Sequence, residues 1–184
     1  MNDLCTINES LDDKLENAIE LGRSFIQPKY WGSRALDYLW QGIGAYLSHN
    51  SNIKYMYGPV SISNTYPKVA KDALVYFYTR YFSNEKKHFK AKRPYVLSKN
   101  TRQEFDKIFE DQEYPEAFRM LKAYLKGLEV SVPTLYKQYG DLCESGGVQF
   151  CDFGVDPAFN NAIDGYLLVE LDKLKDEKRR RYLK

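Results

Sequence analysis

The sequence predicts an α/β domain in which a mixed central sheet is flanked by helices. Three observations carry that expectation. Residues 19–47 read as a strand, a tight basic loop and a helix; residues 70–82 give a helical stripe; and two strand-like runs, 148–155 and 166–171, close the chain. Strands mixed with helices in this way suggest one sheet sandwiched by helices.

In the first of these units, Ile19, Leu21, Phe25 and Ile26 supply a buried strand and residues 28–33 supply the break. Leu36, Leu39, Trp40, Ile43 and Leu47 recur at three- and four-residue steps, on one side of a helix that begins near Ser33. The start of a helix leaves backbone N–H groups without intrahelical acceptors and carries partial positive charge. A loop feeding it therefore suits phosphate oxygens. Here Gly32 lets the backbone approach a ligand, and Lys29 and Arg34 add charge.

Before this unit, residues 1–17 are polar and acidic and are expected to be mobile or loosely docked. After it, residues 53–62 read as a second strand through Tyr55, Tyr57 and Val60. Gly58 and Pro59 within it predict a failure of pairing, because proline has no N–H to give. Asn64 or Thr65 can cap the next helix, with Pro67 in its first turn and Ala70, Ala73, Leu74, Phe77, Tyr78, Tyr81 and Phe82 on its buried side. A third strand is expected over 89–97, and Thr101 with Glu104 forms a capping box ahead of a short helix. Helices over 115–128 and 133–143 follow, then the two closing strands, separated by a polar turn at 156–165.

At 184 residues and 43% hydrophobic, the chain has the length for one globular domain. A net charge of +2 gives no ground for a nucleic-acid partner. No long apolar run and no basic-then-apolar N-terminus occur, so neither a membrane span nor a signal peptide is read and a cytoplasmic location is expected. The three cysteines lack CxxC spacing, which predicts free thiols and no metal site. From residue 173 the tail carries seven Lys or Arg, a feature that can attract anionic headgroups at the inner membrane or an acidic carrier protein.

The run E-L-G-R-S-F-I-Q-P-K-Y-W-G, then L-W-Q-G-I and Y-M-Y-G-P-V-S-I-S, resembles GNAT-superfamily acyltransferases of the hemolysin-like and ornithine-lipid-synthase-like group. It is similar, more distantly, to acyl-homoserine-lactone synthases, which share an E-L-x-R strand. P-T-L-Y-K-Q-Y, G-G-V-Q-F-C-D-F and F-N-N-A-I-D-G-Y-L-L-V match the same group near the C-terminus. The resemblance implies transfer of an acyl group from coenzyme A or acyl carrier protein to an amine, with no metal. It implies a sheet whose first two strands here splay apart to admit the pantetheine arm.

On that resemblance Glu20 and Arg23 are the catalytic candidates, since E-L-x-R lines the donor and acceptor pocket of the lactone synthases. Burial of Glu20 in an apolar strand would raise its affinity for protons toward that of a general base. Strict alternation puts Arg23 on the opposite face, so a direct pair needs a bulge. Backbone amides of Phe25, Ile26 and Gln27 would support the thioester carbonyl, and Lys29, Gly32, Ser33 and Arg34 would hold the donor's phosphates. The family loop Q/R-x-x-G-x-G/A is matched with Lys29 in its first place, Gly32 in its fourth and Arg34 where a small residue is usual.

The superfamily also places a helix and about three strands before this strand, so the early strands are expected to be missing and extra C-terminal helices and strands present. The domain then runs over 19–172, between a lead-in of 1–18 and a basic tail of 173–184. An incomplete sheet leaves an edge, which predicts a homodimer. The rival reading is a non-catalytic or truncated module that acts through self-association or a partner. His49 and His88 lie in polar stretches with no nucleophile patterned around them, so a Ser-His or Cys-His mechanism has no support.

Overall fold

The computed structural model describes residues 1–22, 24–83 and 88–183. Its elements run β1 (Cys5–Ile7), α1 (Asp12–Leu15), β2 (Ala18–Glu20), α2 (Ala35–His49), β3 (Tyr55–Ile62), α3 (Lys68–Phe82) and β4 (Phe89–Ala91). They continue with α4 (Lys99–Ile108), α5 (Tyr114–Gly127), α6 (Thr134–Gly140), β5 (Val148–Asp156), β6 (Ala162–Glu170) and α7 (Asp176–Tyr182). The main sheet has the order β2-β3-β6-β5, with β2 parallel to β3 and the other neighbours antiparallel. A mixed sheet flanked by helices is the architecture the sequence predicted.

Alternation along β3 assigns the two faces of the sheet. Met56, Val60 and Ile62 join the main core with Ile163, Leu167 and Val169 of β6 and Phe150 and Phe153 of β5. Helix α3 is embedded in that core, and Ala70, Ala73, Leu74, Phe77 and Tyr78 are all fully buried. Tyr78 packs its ring against Tyr136 and Phe150 at 4.9 and 4.8 Å, and the Tyr136 hydroxyl donates to the Val60 carbonyl at 2.9 Å. Each such ring, taken from water, stabilises the fold by about 1.5–3 kcal/mol. Much of the chain's unusual tyrosine content is therefore interior packing.

The opposite face is covered by the N-terminal segment, which is not the loose lead-in expected. Strand β1 pairs with β4, Cys5 opposite Ala91, and Cys5 and Leu11 are buried with Phe89, Cys151, Tyr166 and Leu168. A handful of apolar side chains, spaced to meet a sheet face, outweighs the acidic composition that suggested mobility. The third strand is likewise shorter than expected: β4 has three residues, and Pro94 makes only an isolated bridge to Gly154. The cap of α4 is Ser98, whose hydroxyl accepts from the Thr101 N–H at 3.1 Å, rather than Thr101 itself.

The basic tail is docked. Helix α7 lies against α2, with the Tyr182 ring 5.9 Å from Trp40 and the Tyr182 carbonyl resting where a side chain at Gly44 would project. Arg181 pairs with Asp37 at 2.6 Å, and Lys175 and Lys178 both pair with Asp141 at 2.6 Å. Charges held this way are less available to a membrane or a carrier protein than a solvated tail would be.

Candidate active site

The predicted strand over 19–26 is only three residues long as a paired element, and the reason lies in β3. Pairing runs parallel as Ala18 to Tyr55, Ile19 to Met56 and Glu20 to Tyr57, and the Leu21 N–H then donates to the Tyr57 carbonyl at 2.7 Å. The next ladder bond would reach the Leu21 carbonyl from the N–H of residue 59, and Pro59 has none. The Leu21 carbonyl instead rests against Gly58, at the place any Cβ there would occupy. Beyond this vertex the chain leaves β2 and follows its own path to α2. On the β6 side the ladder continues unbroken from Tyr55 to Ile62, so the pairing failure read from Gly58 and Pro59 is confined to the β2 edge.

Glu20 sits at that vertex, in register with Tyr57, on the face that carries β1 and β4. Its expected burial is not found. The carboxylate is 40% exposed and takes the Met1 ammonium at 3.0 Å. A carboxylate on the last paired residue of an edge strand keeps one side open to water, which the apolar neighbours in the sequence did not reveal. Burial, and then the Glu20 charge, push the facing Tyr57 hydroxyl above its ordinary value, and the Tyr57 ring stacks on Phe89 at 5.9 Å. Arg23 lies outside the described residues.

Phe25, Ile26 and Gln27 fall in irregular chain rather than in the sheet, and the Phe25 side chain projects into solvent. A single 3-10 turn, Pro28–Tyr30, then leads to α2. Gly32 has a φ of +76°, a left-handed conformation that glycine adopts without strain. The Ser33 hydroxyl donates to the Tyr30 carbonyl at 2.6 Å and accepts from the Ala35 N–H at 3.2 Å, closing the turn onto the helix start. Lys29 lies over the Tyr30 ring at 4.8 Å, and Arg34 over Tyr38 at 5.5 Å, with Arg34 also paired to Asp37 at 3.2 Å. The structure thus brings Lys29, Gly32, Ser33 and Arg34 together at the opening of α2. Asp37 in the first turn takes part of the local positive charge, its carboxyl held below the usual range first by Arg181 and then by Arg34. A cleft of about 480 Å³ opens beside it, between α2, α5, α6 and α7.

Sequence reasoning passed over one carboxylate. Asp164 falls in the stretch 156–165 that reads as a polar turn, and two neighbouring aspartates do serve the backbone: Asp152 accepts from the Ala91 N–H at 2.8 Å and Asp156 from the Ala158 N–H at 2.9 Å. Asp164 instead lies within β6, 2% exposed, opposite Ser61 of β3, whose hydroxyl donates to it at 2.6 Å. Burial pushes its carboxyl up, while the Ser61 bond pulls the other way. The signal available in the sequence was the alternation of Ile163, Gly165 and Leu167 toward one face, which places Asp164 in a strand. Ser63, by contrast, closes a turn by accepting from the Thr65 N–H at 3.2 Å.

Because Asp164 keeps its proton to higher pH in the native state than in the unfolded chain, the native state binds more protons between the ordinary carboxylate value and the raised one. Stability is therefore expected to fall as pH rises through that window. Asp164→Asn, whose side-chain oxygen still accepts from Ser61, should remove this loss. Urea midpoints measured from acid to neutral pH check it: the variant should decline less than the parent chain, and parallel curves would show that Asp164 titrates like an exposed carboxylate.

The three cysteines are buried, and burial raises the Cys5 thiol to about 11 and those of Cys143 and Cys151 to about 12. Such thiols are protonated near neutrality and poor nucleophiles. Among the described residues no group of three or more His, Cys, Asp or Glu is placed to hold a metal ion, and no helix is long and apolar enough to cross a membrane.

Comparison with known proteins bears on the same segment. A family model for the acetyltransferase (GNAT) domain matches residues 2–41, which include β1, β2, the basic loop and the first half of α2. The chain is GNAT-like. It is similar to a glycine N(alpha)-acyltransferase of Bacteroides thetaiotaomicron, with 26% identity over 180 residues, 94% of this chain and 52% of the relative. A second glycine N(alpha)-acyltransferase, from Phocaeicola vulgatus, is 24% identical over the same share of this chain and 54% of its own length. The GNAT-like chain thus spans about half the length of the curated relatives it matches. No solved structure matches it.

Proposed function

We propose that this GNAT-like chain carries the donor half of an N-acyltransferase site, which moves an acyl group from an acyl-coenzyme A thioester to a primary amine. The observation that supports it best is the vertex at Leu21 and Gly58. A parallel strand pair stops there for a defined chemical reason, and the departing chain leads straight to a basic, glycine-containing turn at a helix start. In this reading the pantetheine arm lies along the gap past β3. The diphosphate meets Lys29, the backbone at Gly32 and Ser33, and Arg34. The backbone of Phe25 to Gln27 faces the thioester carbonyl, and Arg23 remains a catalytic candidate on the sequence resemblance alone.

Glu20 takes a proton from the attacking amine as the N–C bond forms. The C–S bond then breaks, and the departing thiolate takes up the proton that Glu20 removed, which returns the carboxylate to its starting state. Acyl carrier protein is the alternative donor, since it presents the same phosphopantetheine. The relatives' names make a small amino acid such as glycine a natural acceptor to test. The outer edge of β2 is where a second copy would extend the sheet. A single monomeric species across a concentration series in the ultracentrifuge would remove that part of the reading.

Calorimetric titration with acetyl- and long-chain acyl-coenzyme A tests the donor site directly. Binding should weaken at least ten-fold in Arg34→Glu, which reverses a charge at the turn. It should weaken similarly in Gly32→Val, which forces a branched side chain into a left-handed backbone. Equal affinity in the parent chain and both variants would move the donor elsewhere, with the cleft beside Asp37 the next place to look.

A further inference from the structure

Of the eight large hydrophobic side chains exposed among the described residues, five lie between Phe25 and Tyr46. Phe25 is 74% exposed, Trp31 73%, Tyr38 60% and Tyr30 50%. A folded chain seldom leaves so many aromatic side chains of one segment in water unless something covers them. The donor loop accounts for the basic residues of this segment, but it does not account for rings that point into solvent.

We infer that this loop is a membrane-contact surface, in which Phe25, Tyr30, Trp31 and Tyr38 enter the interfacial layer of an anionic bilayer and Lys29 and Arg34 meet its headgroups. Three observations fit that occupant. First, the Trp31 indole N–H already donates to the Ile26 carbonyl at 2.8 Å, so the ring can leave water without stranding its one polar group. Second, residues 24–34 contain no carboxylate, and the nearest, Asp37, is turned inward with its side chain 14% exposed by its bond to Arg181. The surface is therefore cationic and aromatic, the composition of membrane interfaces. Third, the Lys29 ammonium and the Arg34 guanidinium each lie over a ring face, so positive charge and aromatic surface are presented together.

A second copy of the chain fits this patch less well, because a two-fold contact would bring together two faces that each carry Lys29 and Arg34 and have no carboxylate over residues 24–34. The tail, read from sequence as the membrane element, has Lys175, Lys178 and Arg181 held at 2.6 Å by Asp141 and Asp37, a closer hold than the 3.2 Å between Arg34 and Asp37. It is thus the weaker candidate for that role. The inference does not depend on acyl transfer, and its test uses no donor.

The two tryptophans make the test specific, since Trp40 is 5% exposed and Trp31 is open. With phosphatidylglycerol vesicles, Trp31 emission should shift to the blue and the protein should co-sediment. With phosphatidylcholine vesicles, partitioning should be at least ten-fold weaker and should not respond to salt. Trp31→Ser and Lys29→Glu, shown by circular dichroism to be folded, should each lose ten-fold or more on phosphatidylglycerol, while Arg180→Glu on the tail should not. The inference is overturned by no co-sedimentation, by Trp31→Ser binding as well as the parent chain, or by loss only in the tail variant. It is equally overturned if the parent chain dimerises without lipid and Trp31→Ser abolishes that dimer, which would make a second copy the occupant.

Discussion

Glu20→Gln is expected to lower turnover by about 10²–10⁴-fold in an assay of acyl transfer from a long-chain acyl-coenzyme A to a primary amine, the range set by losing a positioned general base. The amide keeps the size and polarity of the side chain and stays in register with Tyr57, so donor affinity by calorimetry should be unchanged. A fall in kcat with intact donor binding separates loss of the base from loss of the site. Two carboxylates compete for the role. Glu20 is 40% exposed at the strand vertex, where an amine can displace the Met1 ammonium that it holds at 3.0 Å, whereas Asp164 is enclosed and engaged by Ser61. If Asp164→Asn collapsed turnover and Glu20→Gln did not, the base would be Asp164 and the acceptor would have to enter nearer the far end of β3.

The second large effect is on the fold. Gly58→Ala should cost about 2–3 kcal/mol, because the new Cβ would occupy the place of the Leu21 carbonyl oxygen and both neighbours are backbone atoms that cannot swing aside. Relief requires β2 to move off β3, which dissolves the vertex and, with it, the approach to the donor loop. Urea denaturation reads the loss, and donor binding should weaken in step. Gly42→Ala is the control. It sits on the open side of α2 with nothing within 4 Å of the new methyl, and should stabilise by about 0.5–1 kcal/mol through helix propensity. Equal stability for the two variants would mean that β2 and β3 are not in the contact the structure shows.

What the sequence determined by itself was the set of local elements and their type. The periodicity of Ala70 to Phe82, the proline at the start of α5, and the β-rich runs ending the chain are intrinsic to short windows. Helices α2, α3 and α5 and strands β3, β5 and β6 accordingly formed where local spacing placed them, within a few residues. The basic turn at Lys29 to Arg34 and the residue resemblance around Glu20 were equally local, so the candidate donor loop was legible at once.

Only tertiary structure decided which of these residues meet. The apolar run after Glu20 read as a longer strand, yet the missing N–H of Pro59, nearly forty residues later, ends the pairing at Leu21. Burial of Glu20 was inferred from its neighbours, but burial is a property of what lies around the strand, and on this edge strand the carboxylate, which takes the Met1 ammonium, stays 40% exposed. Asp164 looked like a turn residue until β3 brought Ser61 beside it. The acidic N-terminus and the basic C-terminus looked solvated because composition records charge and not partners. A sheet face gave the first its apolar contacts, and Asp37 and Asp141 gave the second its counter-charges. Periodicity is written along the chain, whereas pairing, burial and electrostatic partnership exist only between distant parts of it.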